Sequence, residues 1–208
     1  MTDTYRTVAD HASAAFEVRG SEFIGHVAPA DTVDEAETFV AAVRAEYDDA
    51  THNVPAYRVP AGEPSERTPG EVMLREYSSD DGEPSGSAGK PALNVLQGRD
   101  VRNVAVVVTR YYGGTNLGVG GLVRAYSRAV SEALDTAGVV EEAPHRTLIA
   151  RCAYDDSGTV RGILESTGVE FEADYGEDVL FEARVPVAEV EALADRLRSA
   201  TSGRVDPD

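Results

Sequence analysis

An unbroken Val-rich run at the centre of the chain, Val104–Val108, predicts a strand. A strand with one face in water needs polar residues at alternate positions, so a run without them indicates burial on both faces. A glycine-rich segment follows, and from about Gly120 to Ala137 the apolar residues recur at helical spacing. Gly138 predicts the end of this helix. The predicted order is therefore strand, glycine loop, helix.

Helix-like and strand-like segments alternate upstream of this centre. Thr32 and Glu35 have the spacing of a capping box, and the helical spacing of apolar residues that follows predicts a helix. Extended structure is predicted within residues 1–30 and at Thr51–Val59 and Val72–Tyr77. The glycine and prolines of Pro60–Gly70 predict a surface loop between the last two strands.

The pattern after the central helix predicts a second unit. Pro144 and its charged neighbours predict a linker at Glu141–Arg146. The order that follows is strand, helix, strand, strand, helix: Thr147–Tyr154, a helix capped by Asp156 or Ser157, Val169–Tyr175, Val179–Val187 and Ala188–Ser199. This order matches a ferredoxin-like arrangement, with Arg204-Val205 as a short last strand. The predicted fold is α+β in two domains, residues 1–140 and 145–208.

The composition excludes several classes of protein. No apolar run approaches the roughly 20 residues that cross a membrane, and the N-terminus has no apolar signal core. A cytoplasmic protein without membrane contact is therefore expected. Cys152 is the only cysteine, which excludes a disulfide or a thiolate zinc site within the chain.

Charge is distributed unevenly along the chain. The formal net charge is −18, and among 19 basic residues only Lys90 is a lysine. Such an acidic surplus suggests a surface adapted to concentrated salt, as in a haloarchaeon, with an ordinary acidic protein as the alternative. Residues 85–130 reverse this balance, because Asp100 is the one acidic residue among six basic ones. A negatively charged partner is expected at this stretch.

The glycines of the central segment are Gly113, Gly114, Gly118, Gly120 and Gly121. A glycine loop before a helix points free backbone N–H groups and the positive end of the helix dipole at an anion. The spacing matches neither a Walker motif nor a dinucleotide fingerprint, so no cofactor is expected. The alternative is that the glycines only permit a tight turn and close packing. The flanking basic residues favour the anion.

A second candidate site surrounds Asp80, Asp81 and Glu83. Carboxylates suit a hard metal ion, but the same residues are ordinary turn chemistry and lack calcium-loop spacing, so no metal site is predicted. Ser85 or Ser87 would need His52 as a base and an orienting carboxylate to act as a nucleophile, and no nucleophile elbow surrounds these serines.

Three long motifs, at residues 80–89, 107–114 and 117–126, strongly resemble the YigZ/IMPACT family, and residues 50–53 and 56–58 resemble its upstream motif. The resemblance implies an N-terminal ribosomal-protein-type βαβ fold, similar to the second domain of such proteins, and a C-terminal domain similar to the last domain of elongation factor G. Thr115 and Asn116 stand where the family often has an apolar residue and a lysine, and Tyr112 replaces a frequent Phe.

The resemblance and the basic segment together predict a translation-associated regulatory protein that acts by binding rather than as an enzyme. Its expected partner is RNA, the ribosome or other translation machinery. The kinase regulation known for eukaryotic relatives depends on an RWD domain and is not expected here. The residues expected to contact RNA or another anion are Lys90, Arg110, Tyr111, Gly113, Gly114, Asn116, Gly118, Gly120, Gly121 and Arg124. The alternative is a phosphate-ester or peptide hydrolase that uses His52, Asp80, Asp81 and Glu83.

Overall fold

The computed structural model describes residues 4–62 and 72–208, which form two compact units. The first unit comprises residues 5–62 and 72–142, and the second comprises residues 143–208. Both mix helices and strands, which confirms the α+β class. The strands of the first unit are β1 (Tyr5–Val8), β2 (Ala12–Val18), β3 (Ser21–Pro29), β4 (His52–Pro60), β5 (Leu74–Ser78), β6 (Val104–Tyr111) and β7 (Val139–Glu142). Its helices are α1 (Val33–Glu46), α2 (Gly89–Gly98) and α3 (Val119–Ala137).

Strand β6 lies at the centre of a five-stranded antiparallel sheet of order β2-β3-β6-β4-β5. Every residue from Val104 to Arg110 is buried. Val104, Val106 and Val108 belong to the core that α2 and α3 cover, whereas Ala105 and Val107 pack with α1 on the opposite face. The prediction of a strand buried on both faces is therefore confirmed, and its cause is a layer of helix on each side.

The cap of α1 also follows the prediction. The Thr32 hydroxyl accepts a hydrogen bond from the Glu35 N–H at 3.1 Å. The Glu35 carboxylate accepts from the N–H of Asp31, one residue before the cap, at 2.7 Å. The first bond satisfies an N–H of the first turn that the helix cannot satisfy internally, and the second ties the preceding residue to the start of the helix.

Helix α3 ends at Gly138 as predicted, with the glycine at φ +77°. The helix lies close to the sheet at Gly25, where a Cβ would come within 2.3 Å of the Ala129 carbonyl oxygen. Phe23 contacts the ring of Tyr126 edge to face at the same interface. These contacts fix the position of the helix that follows the glycine loop.

The sequence pattern did not predict α2. The helix begins at Gly89 and has a short apolar face that includes Leu93 and Leu96. Its N-terminal cap comes from outside the helix, because the Asp80 carboxylate accepts hydrogen bonds from the N–H groups of Ala88 and Gly89 at 3.0 and 2.9 Å. Because Asp80 lies eight residues before Ala88, no local sequence pattern predicts this cap.

The prediction of a linker at Glu141–Arg146 is wrong in its bounds. Glu141 and Glu142 belong to β7, which pairs antiparallel with β1. Only Ala143 and Pro144 separate β7 from the first strand of the second unit.

The second unit contains the predicted order of strand, helix, strand, strand, helix. Its elements are β8 (His145–Cys152), α4 (Tyr154–Thr167), β9 (Glu170–Tyr175), β10 (Val179–Pro186) and α5 (Val190–Ala200). The strands form an antiparallel sheet of order β8-β10-β9 over an apolar core that includes Leu148, Phe181 and Leu197. The ferredoxin-like description of this unit stays a proposal.

Two details of the second unit correct the expectations. Asp156 lies inside α4 rather than at its cap, and its carboxylate accepts hydrogen bonds from Arg204 at 2.9 and 2.7 Å. Arg204 and Val205 do not form a strand, although the backbone of Asp208 exchanges two hydrogen bonds with Ile149 of β8.

Candidate nucleic-acid interface

The glycine loop, residues 112–118, leads from the end of β6 into the first turn of α3. All its residues except Leu117 are exposed, and the Tyr112 side chain is 44% exposed. The Tyr112 hydroxyl donates to the Asn116 side chain at 3.1 Å, and this hydrogen bond crosses the loop. The loop is therefore an ordered surface between a buried strand and a buried helix.

Most glycines of this segment have a structural reason. A Cβ on Gly113 would lie 1.9 Å from the backbone of Gly20, so the turn before β3 and the loop pack backbone to backbone. Gly114 and Gly118 have φ angles of +83° and +70°, which favour glycine. A Cβ on Gly121 would lie 2.9 Å from the Leu117 side chain. The alternative that the glycines only permit tight turns and close packing thus accounts for Gly113, Gly114, Gly118 and Gly121.

Gly120 differs from its neighbours. It is exposed in the first turn of α3, and a Cβ placed there would meet only the Nη1 atom of Arg124, at 3.6 Å. This is an ordinary contact, so neither crowding nor backbone strain requires a glycine. Its absence of a side chain leaves the backbone of this turn open to a ligand.

The first turn of α3 has neither a side-chain cap nor an acidic residue. The cap residue is Gly118, whose carbonyl accepts from the N–H groups of Gly121 and Leu122. The positive end of the helix dipole is therefore not compensated by a carboxylate of its own helix. Helix α2 is the opposite case, since Asp80 occupies its N-terminus.

An arginine groove of about 240 Å³ lies beside the loop, between β2 and α3. Arg19, Arg124 and Arg128 line it together with the apolar side chains of Phe16, Val18, Leu117 and Ala125. The Arg128 guanidinium stacks over the Phe16 ring, 4.0 Å from its centroid, and donates to Glu132 at 2.7 Å. Arg19 and Arg124 are exposed, and neither takes part in the ion pairs found within residues 4–62 and 72–208. The groove thus concentrates uncompensated positive charge in a chain of net charge −18.

Arg110 does not join this surface, and the role expected for it needs correction. Its side chain is 5% exposed and donates to the Glu83 carboxylate and to the Ser21 hydroxyl. Burial removes the guanidinium from any phosphate in solvent, and the carboxylate neutralises its charge. The sequence suggested otherwise because a basic residue at the end of a strand is usually exposed.

The buried pair is part of a network that positions the glycine loop. The Tyr126 hydroxyl donates to Glu83 at 2.8 Å, and burial together with that carboxylate raises the pKa of Tyr126. The Ser21 hydroxyl also accepts from the Gly113 N–H at 3.1 Å. The network therefore ties β3, the 79–88 turn, β6, the loop and α3 together.

The remaining acidic residues of the 79–88 turn have separate structural partners. Burial opposes ionisation of Asp80, but hydrogen bonds from the N–H groups of Gly86, Gly89 and Ala88 lower its pKa below the usual value. Asp81 accepts from the Asn53 N–H at 2.7 Å and from Arg44 at 3.0 Å. Within the described part of the chain, no group of three or more His, Cys, Asp and Glu side chains is placed to hold a metal ion.

His52 lies at the edge of this network. Its Nδ1 atom is 2.7 Å from the Asp81 carbonyl oxygen, which accepts from it, and its Nε2 atom is 3.8 Å from Glu83. Ser85 is exposed, and no hydrogen bond joins it to His52 among the described residues. The four residues of the hydrolase alternative therefore lie near one another, but the three carboxylates and the Nδ1 atom of His52 are engaged in structural hydrogen bonds.

The other expected contact residues are divided between the loop and different surfaces. The Tyr111 hydroxyl donates to Asp49 at 2.7 Å, and this hydrogen bond to the carboxylate is the main reason why its pKa rises to about 12. Lys90 is exposed in the first turn of α2. Sequence reasoning missed Arg19 and Arg128, because only the pairing of β2 with β3 and the packing of α3 bring them together.

Comparisons with known proteins match one family model to each of two parts of the chain. The Impact N-terminal domain family matches residues 19–134, and a domain of unknown function, DUF1949, matches residues 151–204. No helix in the described ranges is long and apolar enough to cross a membrane.

Relatives of similar length match nearly the whole chain. IMPACT family member YvyE of Bacillus subtilis is 36% identical over 99% of this chain and 91% of its own length. IMPACT family member YigZ of Escherichia coli is 36% identical over 90% of this chain and 88% of its own length. A crystal structure described as that of a hypothetical protein has a TM-score of 0.66 at 33% identity, with 100% of this chain and 97% of that chain covered. This chain belongs to the IMPACT family.

Proposed function

We propose that the protein is a translation-associated regulatory protein that binds RNA or a ribonucleoprotein through the glycine loop and the arginine groove. The association with translation rests on the resemblance to the IMPACT family and on the ribosomal-protein-type fold that this resemblance implies. The observation that supports RNA most directly is the pair Arg19 and Arg124, exposed and without carboxylate partners beside an uncapped helix N-terminus.

Charge complementarity favours a polyanion over an ordinary protein surface. The whole chain repels RNA, but exposed charges are screened beyond about 10 Å at 0.1 M salt, so a local cluster dominates what a bound strand experiences. Guanidinium groups bind phosphate bidentately, and backbone N–H groups of a helix start add contacts that carry no sequence information. Binding with little sequence preference is expected.

Tyr112 supplies a second kind of contact. Tyr112 is 44% exposed, and the guanidinium carbon of the buried Arg110 lies over its ring, 5.4 Å from the centroid. An exposed tyrosine whose ring packs on a fixed guanidinium on one face can stack on a base with the other face, and such stacking contributes about 1–3 kcal/mol per base. Because stacking survives high salt better than phosphate contacts do, Tyr112 should dominate binding near molar salt.

The test is a titration of labelled single-stranded and structured RNA against wild type, Arg19→Ala and Arg124→Ala. Each substitution should weaken binding roughly tenfold at moderate salt, and the loss should be the same for every RNA sequence. The slope of the logarithm of the binding constant against the logarithm of the salt concentration should fall by about one, because one phosphate contact releases about one counterion. Arg151→Ala is the matched control, because Arg151 is an exposed arginine on β8 of the second unit. Absence of binding by wild type, or equal losses in Arg124→Ala and Arg151→Ala, would contradict the proposal.

A further inference from the structure

We propose that the arginine groove binds a single nucleotide through its terminal phosphomonoester. The ligand is the 5′-phosphorylated end of an RNA strand or a free nucleoside 5′-monophosphate. The RNA form rests on the proposed function, whereas the free-nucleotide form does not.

The size of the groove points to one nucleotide. Pockets for drug-sized ligands enclose about 300–1,000 Å³, and this groove encloses about 240 Å³. A phosphorylated nucleotide is a small ligand of that order, whereas several stacked bases would extend far beyond the groove.

The charge of the groove fits a phosphomonoester better than an internal phosphodiester. The Glu132 carboxylate neutralises the charge of Arg128, and the Arg128 guanidinium stacks on the Phe16 ring. This side chain is therefore a fixed part of the groove lining. Arg19 and Arg124 remain as two uncompensated positive charges. A phosphomonoester carries about −1.5 to −2 charges at pH 7 and offers three acceptor oxygens, whereas a phosphodiester carries a single negative charge.

One part of the groove lining is apolar, and the other part is suited to a phosphate group. Val18, Leu117 and Ala125 offer apolar contacts to the flat face of a base. Gly120 is the neighbour of the lining residue Gly121 and has no side chain between solvent and the first turn of α3. A Cβ placed there would lie 3.6 Å from the Nη1 atom of Arg124. A phosphate near Gly120 would therefore meet a guanidinium and free backbone N–H groups together.

The experiment compares matched ligands by calorimetry and by competition with a labelled RNA. One arm uses adenosine, inorganic phosphate and 5′-AMP, and the other uses one single-stranded RNA with a 5′-hydroxyl or a 5′-phosphate. We expect 5′-AMP to bind and adenosine not to bind. The 5′-phosphate should strengthen RNA binding roughly tenfold, as charge-assisted hydrogen bonds do. Binding of 5′-AMP should weaken below about pH 6, where the phosphomonoester takes up its second proton.

Three variants separate the groove from general charge. Arg124→Lys keeps the charge but loses the bidentate fork, so it should lose most of the preference for the 5′-phosphate while retaining RNA binding. Gly120→Ala should lose the same preference, because its Cβ narrows the approach to the first turn. Arg151→Ala should retain it fully.

The outcomes distinguish this proposal from the proposed function. If both RNAs bind equally and 5′-AMP does not bind, the phosphomonoester site is overturned and the RNA function stands. If 5′-AMP binds and neither RNA does, the groove is a free-nucleotide site and the RNA function fails. If no ligand binds, both fail.

Discussion

At the scale of single residues, the buried pair of Glu83 and Arg110 decides the geometry of the candidate site. Their side chains are 4% and 5% exposed and form an ion pair beside Tyr126 and Ser21. Removing charges from water is costly, so such a pair contributes little net stability, yet either partner left alone is strongly destabilising. The pair therefore positions the loop more than it stabilises the fold.

Glu83→Ala should destabilise the first unit by about 3–5 kcal/mol, because Arg110 would remain buried without its carboxylate. The double variant Glu83→Leu with Arg110→Met should recover part of that loss, since neither charge is then buried while the Tyr126 hydroxyl still lacks its acceptor. Urea unfolding of both variants measures the difference. Glu132→Ala is the control, because it breaks the exposed pair with Arg128 and should cost well under about 1 kcal/mol. A single variant no less stable than the control would show that the buried pair has no such role.

At the scale of elements, the strand, the glycine loop and α3 form one unit with two kinds of glycine. Gly113 is required by the backbone contact with Gly20, whereas Gly120 has no structural requirement. The segment predicted from sequence as one anion-binding loop is therefore divided by the structure into a packed part and an open part.

Gly113→Ala should destabilise the fold by at least about 1–3 kcal/mol, because its Cβ would force the Gly20 turn away from the loop. Gly120→Ala should leave stability unchanged or raise it by up to about 1 kcal/mol, since alanine favours the helix. Thermal unfolding of the two variants in the same buffer makes the comparison. Similar losses in both would mean that Gly120 is also a packing glycine.

At the scale of the whole molecule, the surplus of acidic over basic residues is the property that should decide how the protein responds to salt. In dilute buffer the surplus acidic side chains of a chain with net charge −18 repel one another, and ion pairs leave this surplus unchanged because each joins one positive and one negative charge. We propose that the surface is adapted to concentrated salt, where screening removes this repulsion.

The melting temperature should rise steadily as the salt concentration increases from low to molar values. Sodium chloride is the informative salt, and the non-ionic osmolyte sucrose is the control for effects unrelated to screening. A melting temperature that stays flat or falls in sodium chloride would contradict salt adaptation and favour an ordinary acidic protein.

The sequence by itself determined the features that depend on neighbouring residues. Val104–Val108 is buried on both faces because no polar residue interrupts it, and Thr32 with Glu35 starts α1 because a cap acts within one turn. The family motifs, likewise local, identified the IMPACT family.

Only the tertiary structure decided what depends on distant partners. The sequence predicts an exposed Arg110, but in the fold Glu83 and Ser21 bind its guanidinium and Tyr126 binds the same Glu83 carboxylate. The sequence likewise predicts Asp80 as a turn residue, and only the fold shows that it caps α2. The arginine groove exists because the turn after β2 brings Arg19 to the face of α3 that carries Arg124. Burial and charge compensation are properties of the packed chain, since long-range contacts decide which charges lose water and which keep it.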